Sequence, residues 1–405
     1  MTPDLQGPLA GVRIIDLTTV VMGPYATQIL ADLGADVIKV ESFAGDNMRQ
    51  VGPMRNPGMG HILLHLNRNK RSIVLDLKQS AGRDALLRLT ATADVFVYNV
   101  RPQALTRLGL AYTEMAKSNP RIIHVGCFGY GQAGPYAAQA AYDDLIQGAI
   151  GVPWMQAQQS GHEPRYTPIT LADRATGLNV VNAVTAALYS RERNGRGQAV
   201  EVPMFESLAQ FVLSDNMAGK SFDPPLGEAG YQRMLAPDRR PYATLDGHIC
   251  LLVYNDAQWQ RFFAAIGQAE RFARDPLFSS HGNRAARIRE VYAFVAEVIA
   301  GRSSAEWLEI LAAADLPVSR MNSLDDLIDD EHLASVGFFT WREHPSEGRI
   351  REMGVPSTWS GTPPNNSRPA PRLGEHGCEV LREIGYSDDE IAALRDANVT
   401  NQANP

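Results

Sequence analysis

The sequence predicts an α/β protein with a mainly parallel sheet, helices on its faces and a smaller second α/β domain. Short apolar runs alternate with helical patterns in the first part of the chain, and glycine and proline punctuate that alternation. A chain of 405 residues is also long for a single hydrophobic core.

The first run, Val12 to Ile15, ends in Asp16 and reads as a strand. A helix follows from Pro24 to Leu33, with proline at its start and Gly34 as its stop. Val37 to Val40 is the next strand and Ile73 to Leu75 another, followed by a helical stretch from Gly82 to Thr92. Val95 to Tyr98 and Ile122 to Val125 add two strands. A long helix is expected from Arg174 to Arg193, ended by Asn194-Gly195, and Ala199 to Val202 reads as a strand leading into another helix. Residues 1–220 thus form the first part of a large domain. Prolines and glycines from Ser221 to Asp246 mark a linker, and 247–325 form the small domain. Residues 326–405 return through proline-rich sequence, Pro345 to Pro371, to a last amphipathic helix at Gly377 to Gly385.

Net charge is -7, where a nucleic-acid binder would carry a positive excess, so no such partner is expected. Charges interrupt every apolar stretch short of the roughly 20 residues a membrane-spanning helix needs. Met1 to Leu9 has no basic leader, and Cys127, Cys250 and Cys378 form no paired framework, so they read as buried free thiols in a cytoplasmic protein.

Gly129-Tyr130-Gly131-Gln132-Ala133-Gly134 fits GxGxxG after a strand. Pro135 follows at once, Asp143 and Asp144 come too early for a ribose-binding acid, and the motif follows a later strand. A loop that brings backbone close to a ligand or neighbouring strand accounts for it better than a dinucleotide site. His61 and His65 share a helical face, but no carboxylate or cysteine completes a metal set. No nucleophile elbow occurs. Asp173 opens the long helix, either as its N-cap or as a reactive carboxylate that the helix terminus keeps anionic. Lys70, Arg71, Lys78, Arg101 and Arg107 lie near strand ends, where together they would suit a phosphate-bearing ligand.

In this order the motifs resemble the family III CoA-transferases and the related α-methylacyl-CoA racemases. The resemblance rests on Leu9 to Leu17, Gly23-Pro24, Leu33 to Glu41, Asn69 to Ile73, Asn99 to Pro102 and Leu108-Gly109. It continues through Gly129 to Gln132, Gly134-Pro135, Asp173 to Gly177, Gly195 to Gln198 and Pro371 to His376. It implies a Rossmann-like large domain, a small domain on long linkers and a homodimer of interlocked rings. It also implies that Asp173 attacks an acyl-CoA thioester, forming first a mixed anhydride and then an enzyme–CoA thioester that a carboxylic acid acceptor resolves. No permanently bound cofactor or metal is implied; coenzyme A enters as part of the substrate. Val20, Val21, Met22, Leu75, Lys78, Asn99, Val100, Arg107, Tyr142 and Asp143 fall on its CoA-contact positions, with Lys78 and Arg107 facing phosphates.

Two departures bear on substrate. Ser42 stands where many members have arginine, and the glycine-rich small-domain loop of formyl-CoA transferase is not recognisable between Gly219 and Asp246. The texture is closer to the dicarboxylate-using transferases, with succinyl-CoA as donor and Arg165 or Arg174 as a partner for a second carboxylate. Racemases use a histidine followed by an aspartate. Here Tyr142 precedes Asp143, and a phenol with a pKa of about 10 is a poor base at neutral pH. An NAD-linked oxidoreductase and a non-catalytic CoA-binding protein are the readings from other classes.

Overall fold

The computed structural model describes residues 6–401. Residues 1–5 of the N-terminal stretch and 402–405 of the return segment lie outside the described residues. Chain contacts divide the protein into two compact units. One comprises Met1–Ile150, Pro168–Gln210 and His332–Pro405, the other Gly151–Thr167 and Phe211–Glu331.

The larger unit begins with β1 (Arg13–Leu17), α1 (Met22–Asp32), β2 (Asp36–Glu41), α2 (His61–Leu66) and β3 (Lys70–Val74). It continues through α3 (Ser80–Ala91), β4 (Val95–Tyr98), α4 (Pro102–Arg107), α5 (Tyr112–Ser118), β5 (Ile123–Phe128) and α6 (Asp143–Ala149). After α7 (Val152–Ser160), which belongs to the smaller unit, come α8 (Leu171–Asn194), β6 (Gln198–Pro203) and α9 (Met204–Asn216). The six strands run parallel in the order β3-β2-β1-β4-β5-β6. This is the Rossmann-like order. It reverses direction between β1 and β4, so the loops leaving their carboxyl ends diverge and open a crevice there. Ile15, Ile38, Ile73 and Phe96 pack with Leu86, Leu89, Val380 and Leu381 into the core beneath β1 to β4.

The smaller unit holds a three-stranded antiparallel sheet of β7 (Tyr242–Ala243), β8 (His248–Leu251) and β9 (Val318–Arg320). Its helices α10 (Asp256–Ala265), α11 (Ala269–Arg274), α12 (His281–Ala286), α13 (Ile288–Ile299) and α14 (Ser304–Ala313) enclose a core rich in aromatic rings, including Trp259, Phe262, Phe263 and Phe278, and an exposed α15 (Leu324–Ile328) follows. The chain leaves through α16 (Glu331–Ser335) into a hairpin of β10 (Phe339–His344) and β11 (Gly348–Met353), then α17 (Gly377–Glu383) and α18 (Asp388–Asp396).

Several elements differ from the sequence reading, each for a physical reason. β3 starts at Lys70, not Ile73, because its two basic residues are buried and paired. Lys70 Nζ meets Asp16 Oδ2 at 3.0 Å. Arg71 takes Asp36 at 2.6 Å and Glu383 at 2.6 Å. Both charges are consumed inside the protein, so neither is available to a phosphate. The proline-rich return contains the β10–β11 hairpin, whose charged alternation hid it. Cys127 is buried as expected, whereas Cys250 and Cys378 are only half-buried, and all three are free thiols.

Under β1 and α1 lies a chain of buried charges: Asp16, Lys70, Lys39, Asp46, Glu41 and Arg49. Lys39 Nζ reaches Asp46 at 3.0 Å and the Thr18 carbonyl at 2.8 Å. Arg49 grips Glu41 through two bonds, at 2.8 and 2.6 Å. Burial alone would raise the Asp16 carboxyl; the Lys70 and Lys39 ammonium groups and the hydroxyls of Thr18 and Thr27 overcome it and hold the group well below the usual carboxylate range. Burial brings Lys70 down to about 8, against the pull of Asp16.

Candidate active site

The loop from β1 to α1 is held in a conformation its sequence resists. Val20 has φ of 74°, a left-handed backbone that a β-branched residue rarely adopts. Three bonds keep it there. The Val20 N–H donates to Asp46 at 3.1 Å. Asn99, at the end of β4, accepts from the Thr19 N–H at 3.2 Å and donates to the Thr19 carbonyl at 2.9 Å. The buried charges below therefore set the shape of the loop above them. Val21 caps α1 with no side-chain acceptor, and since Pro24 has no N–H and Tyr25 donates to the Val21 carbonyl at 2.8 Å, the first-turn donors left are the N–H groups of Met22 and Gly23.

At this switch point a cavity of about 350 Å³ opens. Its walls include Thr19, Val20, Val21 and Met22 after β1, Asn99 to Pro102 after β4, and Cys127 to Tyr130 at the end of β5. Gln132, Ala137, Gln139, Ala140, Ala141, Tyr142, Met204 and Asp173 complete the lining. Of the residues singled out from sequence, Val20, Val21, Met22, Asn99, Val100, Arg101, Tyr142 and Asp173 meet at this cavity. Leu75, Lys78, Arg107 and Asp143 do not line it. Leu75 is closed into the core, while Lys78 and Arg107 are exposed on loops and helices that follow β3 and β4. Asp143 is buried, and its carboxylate accepts the Asp173 N–H at 2.9 Å and Gln147 Nε2 at 2.6 Å.

The glycine loop forms one wall without offering a phosphate cradle. The Gly131 N–H donates to Glu206 at 2.9 Å and the Gln132 N–H to Glu201 at 2.6 Å, so these donors are occupied by carboxylates of the chain itself. That removes the feature on which the dinucleotide reading stood. Gly129 has a different reason to be glycine: a Cβ there would lie 2.0 Å from the Cβ of Ala141. Gly129→Ala is expected to push 137–142 outward, destabilise the protein by about 1–3 kcal/mol and raise KM for the CoA substrate several-fold. Steady-state kinetics paired with thermal unfolding check this.

A family model described as CoA-transferase family III matches residues 9–377. The chain belongs to CoA-transferase family III. Family membership makes it a CoA-transferase, acting on an acyl-CoA and a carboxylate. Among its relatives is the succinate–glutarate CoA-transferase of Agrobacterium fabrum, 33% identical over 94% of this chain and 97% of that protein. Human succinyl-CoA:glutarate CoA-transferase is 30% identical over 98% of this chain and 90% of its own length. A CAIB/BAIF family protein from Brucella suis has a similar solved structure, with TM-score 0.77 and 28% identity over 94% of this chain and 100% of that one.

In this family III chain Asp173 is the third residue of α8, and Thr170 is the N-cap. The N-cap expectation is corrected: Asp173 does not cap the helix, since Leu171 and Ala172 already precede it in the first turn. Nor is the helix terminus the deciding influence on its charge. Burial, and then the negative charge of Asp143, push Asp173 up to about 7, against a smaller opposing effect of Arg174. The macrodipole supplies only about 0.3–1 kcal/mol toward the anion at an exposed terminus. A carboxylate this basic is a stronger nucleophile than an ordinary aspartate once ionised.

Below pH 7 Asp173 is mostly protonated and cannot attack, so kcat/KM is expected to rise with pH along an acid limb centred at about 7. Asp143→Asn removes the like charge and is expected to move that limb to lower pH. A pH profile of both proteins checks the shift.

Burial drives the Cys127 thiol far above its ordinary value, so it remains a neutral wall and not a competing nucleophile. Among the described residues no group of three or more His, Cys, Asp or Glu is placed to hold a metal ion, and no helix is long and apolar enough to cross a membrane. Sequence reasoning missed Thr19, Tyr130, Ala141 and Met204 as cavity walls. The signal for Thr19 was Asn99, a polar residue at a strand end with a loop donor and acceptor to satisfy.

Proposed function

We propose that the protein moves CoA between carboxylic acids through covalent intermediates on Asp173, with succinyl-CoA as donor and a dicarboxylate as acceptor. The observation that carries the site assignment is the position of Asp173. It is a half-buried carboxylate raised to about 7, and it faces the cavity at the Rossmann-like switch point. Similarity to the succinate–glutarate enzymes supports the choice of acids.

The cycle balances without an added reactant. An Asp173 oxygen attacks the thioester carbonyl, the C–S bond breaks, and a mixed anhydride and CoA thiolate result. The thiolate attacks the Asp173 carbonyl, the donor acid leaves, and Asp173 carries CoA as a thioester. An acceptor carboxylate then attacks that thioester and releases the thiolate. Attack of the thiolate on the acceptor's acyl carbon forms the new acyl-CoA and returns the Asp173 carboxylate. The free N–H groups at the start of α1 are the donors for the negative tetrahedral intermediates. Val20, Val21, Met22, Asn99, Val100 and Tyr142 hold the pantetheine end, while exposed Lys78 and Arg107 take the phosphates and Leu75 contributes backbone.

Racemisation is less well supported. Tyr142 occupies the place of a proton acceptor and is 65% exposed. The Asp143 carboxylate that would orient such a base is already engaged by Asp173 and Gln147. An interlocked homodimer belongs to the same proposal, with exposed Leu178 and Tyr189 of α8 available to a second copy; light scattering tests it. A large CoA-binding domain with a small one on linkers and a cytoplasmic location are part of it as well.

Peptide mass spectrometry after incubation with a panel of acyl-CoAs, succinyl-CoA first, tests the reading. A CoA adduct on the peptide containing Asp173 is expected. Solvent deuterium entering the α-carbon of a 2-methylacyl-CoA, with no adduct from any donor, would replace it with racemisation.

A further inference from the structure

We infer that Arg174 is the specificity-determining residue that receives the distal carboxylate of a dicarboxylate substrate. This rests on the reading of Asp173 as the group that accepts the acyl chain.

Arg174 follows Asp173 on α8, and its guanidinium lies 4.5 Å above the ring of Tyr25 on α1. The cation–π contact holds the guanidinium in place while leaving N–H groups available for a two-pronged grip on a carboxylate. The buried arginines of the same unit have acidic partners, Arg49 with Glu41, Arg68 with Asp32, Arg71 with Asp36 and Arg191 with Asp94, while half-buried Arg83 is satisfied by the carbonyls of Leu77 and Lys78. Among the described residues no carboxylate lies within ion-pair distance of Arg174. A half-buried cation with no ion-pair partner, one residue from the reacting carboxylate whose charge it feels, suits an anion that arrives from outside.

The geometry of the reaction places that anion. Asp173 lines the cavity that also includes Val20 to Met22 and Asn99, but Arg174 and Tyr25 do not. A thioester carbonyl at Asp173 has CoA on one side and the acyl chain on the other. With the cavity given to CoA, the chain leaves Asp173 toward the next side chain of the helix. Donor acid and acceptor acid occupy this place in turn, so one cation serves both. Burial, and then the charge of Arg68, lower the pKa of nearby His65 against the opposing pull of Glu352, with smaller effects from His61 and Arg174.

The test compares acids of matched length with and without the second carboxylate: glutarate against valerate as acceptors, with succinyl-CoA as donor. Arg174→Gln is expected to lower kcat/KM for glutarate by about 10²-fold, mainly through KM, and to leave valerate within a few-fold. Arg174→Lys should recover part of the loss. Equal losses for both acids in Arg174→Gln, or a native enzyme that does not prefer glutarate, would overturn the assignment while leaving Asp173 untouched. Absence of any CoA adduct on the Asp173 peptide of the native enzyme would overturn the underlying reading, and this one with it.

Discussion

Asp173→Ala is expected to lower CoA transfer by at least ~10⁴-fold while leaving the protein folded, because every covalent step passes through this carboxylate. Asp173→Asn should lose activity to a similar extent, since the amide keeps the shape without the nucleophile. Its stability should move the other way. The folded-state value of Asp173 is raised from 3.8 to about 7. The group therefore favours the fold fully below the unfolded value, and that contribution is lost as pH rises through 7. At pH 8 the native protein holds an ionised carboxylate in a poorly solvated place, which asparagine avoids. Asp173→Asn should be more stable than native by about 1–2 kcal/mol at pH 8, allowing for solvent around a half-buried group, and the difference should shrink toward pH 4. Kinetics, with unfolding midpoints at both pH values, check the pair of effects. Full turnover in Asp173→Ala would end the covalent mechanism.

The largest stability effect should come from Lys70→Met, which leaves Asp16 as a buried charge without its ion-pair partner at 3.0 Å. The loss is expected to be about 3–5 kcal/mol. Asp16→Asn combined with Lys70→Met removes both charges and should recover a good part of it, because the cost lies in the orphaned carboxylate and not in the lost attraction. Activity should fall in the single variant as well. Asp16 accepts from the Thr18 N–H at 2.9 Å and from its hydroxyl at 2.5 Å, and Thr18 leads directly into the strained turn at Val20. Thermal midpoints for the two singles and the double, arranged as a double-mutant cycle, measure the coupling. Coupling below about 0.5 kcal/mol would show that solvent or another group compensates Asp16.

The glycine loop shows how local pattern and tertiary role diverge. GxGxxG after a strand suggests phosphate, and only the position of Glu201 and Glu206 shows that two of its N–H groups are occupied by the chain itself. The reason for Gly129 is equally non-local, since it depends on Ala141. Lys70 and Arg71 teach the same lesson with opposite sign. In the chain they look like surface charges, and burial by paired acids 54 and 35 residues away has no local signature. Asp173, by contrast, was legible as a carboxylate at the start of a long helix, though not as one raised to about 7.

Alternating apolar runs and helical patterns were enough to declare the parallel α/β architecture, because strand and helix periodicity depend on near neighbours. Motif order was enough to declare the family for the same reason: it is a property of the chain read in line. Tertiary structure alone decided which charges are internal, which loops converge on the cavity and which acid sits beside Asp173. Those outcomes depend on strand order, which brings the ends of β1, β4 and β5 together, and on burial, which turns an ordinary aspartate into one poised near neutrality.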